Sequence, residues 1–280
     1  MNRILCVYLA AYLSLFYVQA RAQQPQSVEL EKFTHADVKN LDVQVLVLPI
    51  GSCEPHGYHL PYANDALTIG SLASRAAARA NEQGAKVLVL PVLPYGVNVN
   101  LANLPRAQSL RPATMIAFVN DVVDTAEKQG IRKVVITNGH GGNSTTLASA
   151  LREMFASHPN VFVALVEPWT VWADVQAEVF RNPGGHSGES ETSLALALHP
   201  ETVQMKRAVA PRAGISKLGA SGSVATFVKP WKYLSDTTGQ GDPTQATPAK
   251  GQALVDAFVE RTSKFLVELS KAEVTETFPY

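Results

Sequence analysis

Residues 50–65, Ile50-Gly-Ser-Cys-Glu54-Pro-His56-Gly-Tyr-His59-Leu-Pro-Tyr-Ala-Asn-Asp65, place two carboxylates and two imidazoles in a short stretch. Oxygen and nitrogen donors of this kind suit zinc, manganese or iron(II). Glu54 and His56 are two apart, so in an extended backbone both point the same way and reach one ion. Asp65 lies a loop's length further on, where it could close over that ion or bridge two. A turn rich in glycine and proline would account for a single histidine or glutamate here. Four candidate ligands after one apolar run favour a metal site.

Two further loops carry the same donor types. Asn138-Gly-His140-Gly-Gly-Asn143 joins an apolar run to a helical one. A phosphate-binding glycine turn is the alternative for it, because N–H groups at a helix start attract anions. It is neither G-x-G-x-x-G nor a Walker loop, and an imidazole at a strand's carboxyl end reads better as another metal ligand. The third loop is Gly184-Gly-His186-Ser-Gly-Glu189-Ser-Glu191-Thr-Ser193. Gly185-His-Ser187 starts like a nucleophile elbow, but Glu189 stands where G-x-S-x-G needs glycine and no strand precedes it, so a serine hydrolase is discounted. Residues two apart on a helix diverge by about 200°, so only one of Glu189 and Glu191 can face an ion. Glu191 lies on the inward stripe with Leu194 and Leu198, whereas Glu189 suits a helix N-terminus.

Regular elements must hold these loops in place. Apolar runs at 43–49, 86–91, 132–137 and 161–166 read as buried strands. Helical spacing covers 66–83, 113–129, 147–155 and 254–269, and the first two helices stop at Gly84 and Gly130. Strand and helix alternate, which predicts a single α/β domain with a mostly parallel sheet and helices on both faces. The loops at 50–65 and 138–143 then sit at carboxyl ends of strands, where such sheets place ligands. The long 95–112 loop is expected to be functional. Trp169 and Trp172 either wall a pocket or fill the core. Residues 201–245 lack periodicity and are read as oligomer contacts or a lid.

The chain's 24 Lys and Arg balance its 24 Asp and Glu. No basic run interleaved with aromatics occurs, which argues against a nucleic-acid partner. Met1-Asn-Arg3, the apolar run from Ile4 to Val18, and Ala20-Arg-Ala22 form the pattern of a secretory signal peptide cleaved after Ala22. The apolar run is short for a membrane span. The expected mature protein is residues 23–280, secreted or periplasmic, with no membrane contact after cleavage. Cys6 would leave with the signal, and Cys53, then alone, is read as a small buried residue rather than a ligand or nucleophile.

The stretch at 50–65 resembles the creatininase (creatinine amidohydrolase) signature G-S-x-E-Q-H-G-x-H-L-P-x-x-x-D, departing at Pro55, where glutamine is usual. Asn138–Asn143 resembles the family's second motif, but Gly142 stands where creatinine-hydrolysing members carry glutamate. His186–Ser193 resembles H-A-G-E-x-E-T-S, with Ser187 for alanine. Residues 105–110 keep part of P-G-T-x-S-L, with Arg106-Ala107 for Gly-Thr; if this loop contacts substrate, the substrate differs from the family's common ones and Arg106 could meet an anionic group. Gly241–Thr247 resembles G-D-P-x-x-A-T. The resemblance implies metal-assisted hydrolysis of a small-molecule amide C–N bond. Glu54, His56, Asp65, His140 and Glu191 would hold two divalent ions (zinc, manganese or iron), with Asp65 bridging, and His186 would shuttle the proton to the departing nitrogen. It also implies a homo-oligomer, often a hexamer. A metal-dependent peptidase on short peptides and a secreted small-solute-binding protein without turnover are the alternatives.

Overall fold

The computed structural model describes residues 27–215, 217, 227–275 and 277–280. The expected signal peptide, its cleavage site after Ala22 and Cys6 lie outside the described residues, as does part of the 201–245 segment.

Four parallel strands form one sheet: β1 (Val45–Ile50), β2 (Val87–Val89), β3 (Lys133–Asn138) and β4 (Phe162–Val166), in the order β2-β1-β3-β4. Leu46 pairs with Leu88 on one side and Val134 on the other, and Thr137 pairs with Val166. Side chains alternate across β1 as the pleat requires. Val45 and Val47 enter one apolar cluster, and Leu46, Leu48 and Ile50 enter the other. Both faces are covered, which is why this strand is apolar throughout. The run at 86–91 pairs as regular strand only over Val87–Val89. Pro91 has no N–H to continue the ladder, and the chain returns to β1 through Leu93, whose N–H donates to Pro49 O at 3.0 Å.

The helices are α1 (His35–Val38), α2 (Asn64–Glu82), α3 (Pro112–Lys128), α4 (Ser144–Ser157), α5 (Pro168–Val171), α6 (Ala173–Val179), α7 (Glu189–Leu198) and α8 (Pro248–Lys271). Helices α2, α7 and α8 cover one face, and α3 and α4 the other. The buried stripe of α2 is Ile69, Leu72, Ala73, Ala76, Ala77 and Ala80; its alanines let α8 pack closely. Helix α8 starts where Thr247-Pro248 marks a helix start in the sequence, ahead of the amphipathic stretch 254–269. Pro248 occupies its first turn and the Thr247 hydroxyl accepts from Lys250 N–H at 3.3 Å.

This order creates the site. The chain steps from β1 to β2 in one direction, then crosses back over β1 to β3. Right-handed crossovers therefore put α2 and α3 on opposite faces and leave a crevice outside the carboxyl ends of β1 and β3. Gly51 closes the end of β1 against α2. A Cβ there would lie 2.5 Å from Ala66 Cα, so only glycine permits the approach that brings residues 54–56 to Asp65.

Candidate metal centre

Glu54 and His56 lie on the irregular chain after β1, His140 follows β3, and Glu191 is in the first turn of α7. Asp65 is in the first turn of α2 rather than in a loop, a position that suits a carboxylate near the positive end of the helix dipole. The structure brings these five together, with His186 beside them. Donor atoms gather in three groups, each within 4.8 Å: Glu54, Asp65 and His140; His56, Asp65 and Glu191; and Glu54, His56 and His186. Asp65 belongs to two of them. Its Oδ1 lies 2.9 Å from His56 Nε2, and its Oδ2 lies 3.2 Å from His140 Nδ1.

Backbone carbonyls orient both rings. His56 Nδ1–H donates to Glu54 O at 3.0 Å, and His140 Nε2–H to Val97 O at 3.4 Å. In the neutral rings the remaining nitrogens are lone pairs aimed at carboxylate oxygens. His140 Nδ1 is also 3.0 Å from Glu54 Oε1. Lone pairs at that range repel unless positive charge lies between them. Both Glu54 carboxylate oxygens and Asp65 Oδ2 are buried without a hydrogen-bond partner. Orphaned buried carboxylates are costly, and a cation relieves them.

The alternative relief is a proton on each ring. Burial pushes His56 down, but Asp65, then Glu191 and Glu54, outweigh it and lift it to about 10 in the absence of a cation. His140 is likewise pushed down by burial and lifted to about 10 by Glu54 and Asp65. Burial disfavours the charged form of Asp65 too, yet the two imidazoles hold it far below the usual carboxylate range. A divalent ion competes for these lone pairs and releases the protons. Three carboxylates and two imidazoles fit zinc or manganese.

His186 points its Nε2–H at Pro55 O, 2.8 Å away, and its Nδ1 at Glu54 Oε1, 3.5 Å away. Its ring lies 4.1 Å from that of His56, centroid to centroid. Pro55, which stands where the family usually has glutamine, meets His186 through its main-chain carbonyl, a group that any residue supplies.

The cavity in front of this cluster is about 510 Å³. Its other walls include Leu101, Trp169, Trp172 and Trp231, with Asn64 and Gln240 among the polar groups. Trp172 serves both expected roles, since it also packs on Phe258 in the core. Trp231 was not foreseen. It lies in the aperiodic 201–245 segment, and only its size marked it out.

Three expectations are corrected. His59, counted among four candidate ligands, turns away from the cluster: its Nε2 pairs with Thr192 Oγ1 at 2.8 Å, and burial, then the charge of His56, pushes it down to about 4. Arg106 lies outside the lining of this cavity, so the 105–110 loop does not bring its side chain to the site. Its backbone has φ 62, the left-handed region that favours the family's glycine. Cys53 is half-buried rather than buried and belongs to none of the donor groups.

Glu189 and Glu191 separate as the helix geometry requires. Glu191 Oε2 lies 3.9 Å from His56 Nε2 and accepts from Ser187 N–H at 2.5 Å. Glu189 is buried and pairs with Lys250 on α8. Glu191→Gln is expected to lower bound metal while Glu189→Gln leaves it intact, measured by plasma mass spectrometry of the purified variants. Equal loss in both would refute the assignment.

Gly142 has no room for a side chain. A Cβ there would lie 2.3 Å from His140 Nε2 and 2.5 Å from Val97 O. Gly142→Ala is therefore expected to displace His140 from its carbonyl and weaken zinc binding by roughly 10-fold or more, the usual scale for losing such a support. Titration against a competing chelator checks this, and unchanged affinity would show that His140 does not depend on that contact.

Fold and site together define an α/β protein with a buried cluster of side chains, at the carboxyl ends of its strands, that could hold metal ions. The creatininase family model, described as creatinine amidohydrolase, matches residues 31–266, and the chain belongs to that family of metal-dependent amidohydrolases. It is 32% identical over 182 residues to a creatinine amidohydrolase of Pseudomonas putida, covering 59% of this chain and 68% of that one. It is 28% identical over 236 residues to a mycofactocin precursor peptide peptidase of Mycobacterium tuberculosis, covering 79% and 85%. A crystal structure of a candidate creatinine amidohydrolase from Bacteroides fragilis superposes with TM-score 0.83 at 30% identity, covering 89% of this chain and 98% of that one. A structure described as creatininase with Mn gives TM-score 0.71 at 26% identity, covering 88% and 100%.

Proposed function

We propose that this chain is an exported hydrolase of a small-molecule amide C–N bond, non-peptide or cyclic, that works with two divalent ions. The observation that carries this is the pair of donor groups sharing Asp65 at the head of the cavity. Glu54, Asp65 and His140 would hold one ion, and His56, Asp65 and Glu191 the other. Bound there, such a pair lowers the pKa of coordinated water from about 15.7 towards about 7 and polarises a carbonyl. The chain's own groups do the rest. Val97 O and Glu54 O keep the ligand rings in one tautomer. The apolar walls exclude water and orient the substrate. His186, with its Nε2 proton tied to Pro55 O, offers Nδ1 to collect a proton and return it to the departing nitrogen.

Gly142, which lines the cavity where creatinine-hydrolysing members carry glutamate, sets the substrate apart from creatinine. The peptidase relatives favour short peptides as the second substrate class. Export and homo-oligomeric assembly, up to a hexamer, belong to the same proposal. They are supported by the charge, apolar run and small-x-small pattern of residues 1–22 and by the family resemblance.

The test is a screen of the zinc- or manganese-loaded mature protein against cyclic amides, formamides and short peptides. Chelator-sensitive turnover of a non-peptide amide supports the proposal. Turnover of peptides alone favours the second class. Tight binding of a solute with no turnover would overturn both.

A further inference from the structure

The segment from Trp231 to Gly241 shows no period in sequence, yet it grips two of the loops that carry the site. Thr238 sits at its centre with φ 70. Left-handed backbone is rare for a β-branched residue and persists only where the surroundings impose it. The Thr238 hydroxyl accepts from Gly57 N–H at 3.0 Å and donates to Pro55 O at 3.3 Å. The same carbonyl accepts the Nε2–H of His186 at 2.8 Å, so both of its lone pairs are used. The segment also holds the main chain of His186. Gln240 N–H donates to His186 O at 2.6 Å, and Gly185 N–H donates to Gln240 O at 2.6 Å. Trp231 stands edge-on to the His186 ring, with centroids 5.1 Å apart, and its indole N–H reaches Thr238 O at 2.5 Å.

We propose that Thr238 is a positioning residue for His186: it fixes the Pro55 carbonyl that keeps the ring proton on Nε2, and so commits Nδ1 to the reacting side. The proposal rests on His186 as the proton carrier put forward above. Thr238 touches neither the ion-binding groups nor the cavity. Its effect passes through one shared carbonyl and one turn, Pro55 to Gly57. Without the hydroxyl that turn loses its anchor to the segment. The carbonyl can then rotate off the His186 ring, and molecules with the proton on Nδ1 become populated. Those molecules cannot accept a proton at the atom that faces the chemistry.

Two substitutions separate the hydrogen bonds from the shape. Thr238→Val keeps the branch and loses both contacts, and Thr238→Ser keeps the hydroxyl. Each is made in the mature, zinc-loaded protein. Each is assayed for metal content, for kcat and KM on the best amide from the screen, and by ¹⁵N spectra that report histidine tautomers. Comparison with His186→Ala assigns the His186 signals. Thr238→Val should retain its zinc, lose roughly 10-fold in kcat with KM within about twofold, and show mixed tautomers at His186. Thr238→Ser should stay within about twofold of the parent. Unchanged kcat and tautomer in Thr238→Val would overturn the proposal. So would loss of zinc, or an equal fall in Thr238→Ser. If His186→Ala were as active as the parent, the proton-carrying role would fall, while the tautomer spectra would still decide the Thr238 contact.

Discussion

Asp65→Ala is expected to lose both ions together and, with them, nearly all turnover. The two oxygens of Asp65 face different donor groups, Oδ1 towards His56 and Oδ2 towards His140. A carboxylate placed in this way is shared, so its removal exposes each cation to the other. Two divalent ions repel four times as strongly as two unit charges at the same spacing, and a buried site screens them poorly. The variant also leaves Glu54, already without hydrogen-bond partners, in a buried site that has lost its shared anchor. Neither ion should remain at stoichiometric level. Plasma mass spectrometry after gel filtration gives the count, and initial rates give the activity. Two retained ions per chain would exclude the bridging role.

The second large effect separates binding from chemistry. His186→Ala is expected to keep both ions and to lower turnover by roughly 10²–10⁴-fold, the range for a lost general acid–base. His186 lies 3.5 Å from Glu54 Oε1, near enough to form a donor group with Glu54 and His56. Its position relative to Asp65 differs from that of His140, and neither group containing Asp65 needs it. The ring is also fixed by Pro55 O, so the tautomer with Nδ1 free is set in advance. Metal content and kcat measured on one preparation decide the matter. Loss of an ion would make His186 a ligand instead of a proton carrier.

The strand-end loops could be read from sequence because their signals are local. An apolar run feeds Glu54 and His56, another feeds His140, and a helical stripe sets Glu191 apart from Glu189. Asp65 was misplaced because α2 begins without a Ser, Thr or Asp cap; Ala63 stands at that position and makes no capping bond. His59 was overcounted because residue type does not say which way a ring turns, and its partner Thr192 is distant in sequence. Trp231, Thr238 and Gln240 could not be found at all. Their roles come from contacts to residues 100, 55–57 and 185–186, and no periodicity marks a segment that is held by such pairings. Pro55 shows the opposite case: it departs from the family pattern, yet the contact it makes with His186 uses its main-chain carbonyl, which does not depend on residue type.

The central claim is a pair of ions held across Asp65. Crystals of the zinc-loaded protein, measured on both sides of the zinc absorption edge, test it most directly. Two anomalous peaks are predicted, one among Glu54, Asp65 and His140 and the other among His56, Asp65 and Glu191, with a different Asp65 oxygen facing each. A single peak, or a second one away from Asp65, would contradict it.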